Sequence, residues 1–154
     1  MAGWYNKVRD DWQNSIVDAI MHFDAEAEAA RKETFLQGNL EKNSREIPGN
    51  IAYRFGQLQE VEAILEFLNI ELRKIHRKHY RKYLEHYNKT LSSRDADKFA
   101  EGEQDYIDME HIVNEFALVR NKFMAVMKGL ETKQFQLGHI VKLRTAGMED
   151  IVLD

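Results

Sequence analysis

The chain contains no cysteine and a single proline among its 154 residues. The missing thiols exclude a disulfide framework, a Cys-ligated zinc, an iron–sulfur cluster and a thiol nucleophile. They leave the compartment unconstrained, with a reducing cytoplasm as an easy fit. No apolar run approaches the roughly 20 residues needed to span a bilayer. The segment from Met1 to Lys7 lacks the apolar stretch of a signal peptide. A Gly-rich phosphate loop, a Ser-centred elbow and the paired Glu-x-x-His motifs of a di-iron bundle are also missing. The nearest approach to the last, Asp108 and His111, occurs once. Arg and Lys neighbours discourage a divalent cation at His76 and His79, and His22, Asp24 and Glu26 read as surface groups. The expectation is a chain that is not an enzyme and carries no cofactor and no metal.

The scarcity of proline points to helices, since loop-rich and all-β folds use it freely. Ala, Leu, Glu, Lys, Gln and Met supply strong helix formers. We therefore expect an all-α fold, broken sharply at Pro48 and more softly near Gly38, Ser92–Ser93 and Gly129–Gly138. Trp12, Ile16, Ile20, Phe23, Ala27 and Ala30 recur at helical spacing and predict a first helix over about residues 10–35. Gly38 and Asn39 supply its stop. Residues 39–46 read as a polar linker. Asn50 is positioned to cap a long helix running toward Leu91. Ile51, Phe55, Leu58, Val61, Leu65, Leu68, Leu72 and Ile75 form its heptad-like seam. Such a helix is about 60 Å long, against a diameter near 40 Å for a compact monomer of this size. The overhang argues for oligomerisation. Ser92 to Asp95 reads as a loop, and a third helix begins near Glu101–Glu103. Met109, Ile112, Phe116, Val119, Phe123, Val126 and Leu130 give the cleaner heptad. A short apolar piece follows and ends at Thr145, Ala146 and Gly147.

The net charge of −4 argues against nucleic acid only until it is divided. Residues 1–47 carry −3, residues 48–91 carry +3 and residues 92–154 carry −4. Arg73, Lys74, Arg77, Lys78, Arg81 and Lys82 fall within ten residues that contain no acid. Projected at about 100° per residue, they cover the face opposite the apolar seam. Tyr80, Tyr83 and Tyr87 add rings nearby. Cations that track a phosphate backbone, with rings on which bases stack, suit single-stranded nucleic acid. The plainer reading is a solvated charged face with packing tyrosines. Against it, six uncompensated bases on one helix repel one another, and a repeated stripe in an oligomer multiplies a weak site. A basic helix could also lie on an anionic membrane, but the apolar face is committed to the seam.

Two motifs carry a family resemblance. Phe135, Leu137, His139, Ile140, Arg144 and Gly147 resemble the ending of UvsY-type recombination mediators of large tailed phages. The run from Tyr80 to Tyr87 is similar to that family's basic, Leu-acid-aromatic-Tyr motif, whose DNA-associated basic position falls on Arg81. A second basic position of the family is Tyr83 here, beside Lys82; its first aromatic is His86, and its following glycine is Lys89. The resemblance covers roughly residues 48–147, and the first 45 or so have no counterpart. It implies a non-enzymatic, ring-forming homo-oligomer in the cytoplasm of an infected host cell. Such a protein binds single-stranded DNA and helps a RecA-like phage recombinase displace the single-strand-binding protein.

On this reading, residues 1–47 are an N-terminal helical extension and linker, 48–91 a long basic helix for nucleic-acid contact, and 92–154 a helical oligomerisation region. Arg73, Lys74, Arg77, Lys78, Arg81, Lys82 and Lys89 contact phosphate, and Tyr80, Tyr83 and Tyr87 are candidates for stacking. Ile112, Phe116, Val119, Phe123, Val126, Leu130, Phe135 and Ile140 hold the oligomer together, and no membrane is involved. The rival expectation is a coiled-coil structural or scaffolding protein of a phage assembly. A third is a helical adaptor that contacts a partner protein through Trp4, Tyr5 and Trp12.

Overall fold

A computed structural model describes residues 3–86 and 90–147, and among these it is all helical. The elements are α1 (Trp4–Glu33), α2 (Leu40–Glu85), α3 (Ser93–Glu101) and α4 (Gln104–Thr145). No helix among the described residues is long and apolar enough to cross a membrane.

The α1 helix starts earlier than its periodicity predicts and is interrupted at Asp11, whose φ of −155° and ψ of 73° are not helical. Residues 4–10 fold back there, so that the Trp4 ring comes within 5.2 Å of His22. A straight helix would put about 27 Å between those positions. Breaking the helix strands carbonyls of the preceding turn. Ser15 Oγ donates to the Lys7 carbonyl at 3.3 Å and to the Asp11 carbonyl at 2.6 Å. The returning segment buries Val8 and lays Trp4 and Tyr5 against the main core, with Trp12 beside them. These aromatics pack partly buried against the core, as the packing reading of them expects.

The linker expected over 39–46 is helix. Asn39, not Asn50, is the N-cap of α2, and its side chain accepts from the Lys42 N–H at 3.0 Å. Asn43 donates to the carbonyls of Gln37 and Asn39 at 2.8 and 2.7 Å, which ties the incoming chain to the first turn. Pro48 lies inside α2 and does not break it. Interior proline costs about 3 kcal/mol. Here the cap, the buried Asn43 and the buried Ile47 hold the turns on its N-terminal side in place. Gly38, with φ of 73°, provides the expected stop after α1.

Ser92–Asp95 opens α3 rather than a loop. Ser92 Oγ accepts from the Asp95 N–H and donates to the Asp95 carboxylate, a reciprocal N-terminal lock. Gly129 and Gly138 do not interrupt α4, so the separate apolar piece expected after Leu130 belongs to the same helix. The stop at Ala146 and Gly147 is present.

Three long elements form a bundle. His79 meets Asp105 at one end, while Lys133 reaches the last carbonyl of α1 at the other. So α4 runs antiparallel to α2 and beside α1. Phe23 packs edge-on against both Phe116 and Phe123, each at 6.2 Å. Both heptad seams close on each other within the chain. Phe116, Val119, Phe123, Val126 and Leu130 are buried there, and Ile112 packs partly buried against the same core. The assignment of these residues to contacts between copies is therefore corrected, because α1 and α2 already cover them. Ile140 is half-buried and Phe135 stands 73% exposed. Of the α2 seam, Phe55 points outward, and Ile64, which the heptad omits, is fully buried. Length no longer demands partners, since α4 accompanies α2 along the bundle.

Candidate nucleic-acid interface

The last turns of α2 present their cations outward. Lys74, Arg77, Lys78, Arg81 and Lys82, with Glu85 and His86, line a shallow open groove of about 460 Å³. The helix is oriented by its opposite side, where Leu72 and Ile75 pack on the core and His79 is buried. Five of the six predicted phosphate contacts in Arg73–Lys82 thus share one groove, and Arg73 is exposed on the same helix. Tyr87 and Lys89 lie outside the described residues.

The stripe is less uncompensated than its local sequence. Arg73 pairs with Glu66 at 3.3 Å, Lys74 with Glu71 at 2.6 Å and Arg81 with Glu85 at 3.5 Å. Exposed pairs of this kind contribute only about 0–1 kcal/mol, so a phosphate competes with them readily. Lys82 is held differently. It donates to Glu103 at 2.9 Å, and this bond raises the pKa of its ammonium. Arg77 and Lys78 make no ion pair among the described residues. Self-repulsion of six bases therefore does not carry the case for an anionic ligand; two unpaired cations at the centre of a groove do.

The tyrosines divide. Tyr80 stacks on His76, with centroids 6.0 Å apart and planes 19° apart, and stays partly exposed. Tyr83 donates its hydroxyl to Glu103 at 2.6 Å and sets its ring 5.3 Å from Phe99 of α3. Tyr83 therefore fastens α3 and the start of α4 to the basic segment and is not available as a stacking platform. His76 pairs with Asp97 of α3 at 3.3 Å, securing the same flank.

Arg54 and Lys133, which sequence reasoning missed, and His79, which it weighed only as a discouraged cation site, organise the interior. Arg54 is buried and donates to Glu33 at 2.5 and 3.1 Å, to Glu26 at 2.8 Å and to Gln57 at 2.8 Å. The bonds to Glu33 lead in raising its pKa. Gln57 donates to Glu26 at 2.8 Å and leads in holding that carboxyl below its ordinary value. Lys133 is buried and held below its ordinary value by desolvation. His79 is buried beside Glu103 and Asp105, the one group of imidazole and carboxylates among the described residues whose ligand atoms gather as a metal site would need. The signal existed. Arg54, His79 and Lys133 each continue a heptad seam, but a reading that scores only apolar residues passes over them.

No family model, no curated protein and no solved structure matches this chain.

Proposed function

We propose that this chain binds single-stranded DNA along the outer face of α2 and acts as a non-enzymatic recombination mediator of the UvsY type. It would help a RecA-like recombinase replace the single-strand-binding protein in an infected host cell. The observation that carries this reading is the groove lined by Lys74, Arg77, Lys78, Arg81 and Lys82, with Arg77 and Lys78 unpaired among the described residues. Arg77 and Lys78 contact phosphate first. Lys74 and Arg81 exchange weak internal pairs for phosphate, and Tyr80 is the remaining candidate for stacking. The working form is a homo-oligomer whose contacts lie outside the two buried seams. Val17, Met21, Leu118 and Phe135, the most exposed of the large apolar side chains among the described residues, are available for it.

Fluorescence anisotropy with a labelled single-stranded oligonucleotide across a salt titration tests the reading. Affinity falls with salt by about 0.7 in the logarithmic slope for each phosphate neutralised. Reversal of Arg77 and Lys78 to Glu abolishes most of the binding without changing the helical content. Unchanged affinity in that variant would remove the groove as the site.

The same exposed apolar residues favour a second reading, a helical scaffolding component of a phage assembly. That reading gives negligible oligonucleotide affinity at moderate salt while self-association persists.

A further inference from the structure

His79 sits where the end of α2 meets the start of α4, and its side chain is only 10% exposed. Its Nε2 lies 2.7 Å from Asp105 Oδ1. An ionised carboxylate only accepts, so Nε2 carries the proton. In the neutral ring Nδ1 is then a lone pair, and the atom is sealed from solvent without a hydrogen-bond partner among the described residues. It faces Glu103 Oε1 at 3.8 Å.

The buried nitrogen thus faces a partly exposed carboxylate oxygen, and an ion that replaces the Lys82 ammonium on that oxygen can reach both atoms. A proton on Nδ1 does not bridge the gap, which exceeds hydrogen-bonding range. A zinc-class ion does. Bonds of about 2.0–2.1 Å to imidazole and carboxylate at a tetrahedral angle set the two atoms about 3.4 Å apart. The side chains need close by only a few tenths of an ångström. Asp105 already occupies the position of the carboxylate that orients a metal-binding imidazole through its other nitrogen.

We propose that His79 Nδ1 and the Glu103 carboxylate bind a divalent transition-metal ion of the zinc class. Asp105 orients the ring from behind and water completes the shell. Imidazole selects zinc-class ions over magnesium and calcium. Two protein ligands make this a weaker site than a four-ligand structural zinc. Its competitor is built in. The Lys82 ammonium lies 2.9 Å from Glu103 Oε1, and the Tyr83 hydroxyl donates to the same oxygen at 2.6 Å. The ion enters by replacing the ammonium, whose half-exposed side chain swings into solvent. The site does not depend on the nucleic-acid reading.

Calorimetric titration of the chelator-treated full chain with Zn2+ tests this, with Co2+ as a spectroscopic probe of the ligand set. One ion binds per chain. His79→Gln and Glu103→Gln each weaken it at least about tenfold, Asp105→Asn about tenfold, and Lys82→Met tightens it several-fold by removing the competing cation. Glu103→Gln and Lys82→Met decide the matter even if His79→Gln fails to fold. Absence of binding overturns the proposal. So does binding that ignores both of those variants, which would assign the ion to the exposed His86, His111 or His139.

Discussion

The Lys133 ammonium of α4 donates to the Glu33 carbonyl at the C-terminal end of α1, at 2.8 Å. The contact places a cation at the negative end of a helix dipole. It also buries that cation, and desolvation lowers its pKa. For a base with a depressed folded pKa, burial costs stability below that pKa. The cost is relieved as pH rises from the folded pKa toward the unfolded one. Urea denaturation of Lys133→Met therefore gives a stability within about 1 kcal/mol of the parent at neutral pH. The parent gains stability in alkali relative to this variant.

Arg54 carries the opposite expectation. Removing it leaves Glu26 and Glu33 facing each other without their shared cation. Arg54→Met costs about 3 kcal/mol, measured by chemical denaturation at neutral pH. Glu26 has a folded pKa below its ordinary 4.5. Its contribution is therefore present above about pH 4.5 and is lost as pH falls through the folded value. Gln57 leads in that lowering and Arg54 adds to it, so Arg54→Met flattens the acid limb in part.

Two phenylalanines of α4 separate the internal seam from the surface. Phe123→Ala, in the fully buried contact with Phe23, costs about 3–5 kcal/mol. Phe135→Ala changes monomer stability by no more than about 0.5 kcal/mol. Thermal melts decide this, and equal costs would contradict the packing of α4 within its own chain.

Within the cationic groove, pairing sets the rank order. Arg77→Ala weakens oligonucleotide binding more than Lys82→Ala, because Lys82 must first leave Glu103 while Arg77 has no ion pair among the described residues. Anisotropy at two salt concentrations gives the comparison, and each lost phosphate contact reduces the slope by about 0.7.

Much of the fold was legible because it obeys one period. Spacings of three and four place Ile16, Phe23, Ala27 and Ala30 on one side of α1, and Met109, Phe116, Val119 and Phe123 on one side of α4, where they are buried. The heptad could not say whose helix fills its holes. A seam reads alike whether its partner is another copy or a later segment of the same chain, and here the partner is internal. Pro48 misled because a local penalty was weighed without the cap and the packing on either side of it. The cationic stripe was visible as a run, and Glu66, Glu71 and Glu85 on the same helix pair with three of its cations, but Glu103, the partner of Lys82, and Asp97, the partner of His76, lie some 20 residues away in sequence and on other elements. That distance hid the pairing of Lys82, the fixed role of Tyr83 and the cluster around His79.

The bundle also has unlike ends. The groove around Arg77 and Lys78 closes one, while the Glu33–Lys133 contact and exposed Phe35 and Phe135 mark the other. About 45 Å of helix separates Arg77 from Ile47, near that second end. The Debye length at physiological salt is about 8 Å. The two ends are therefore electrically deaf to each other. On the proposed reading, ionic strength loosens a phosphate chain from one tip without any electrostatic effect reaching the other.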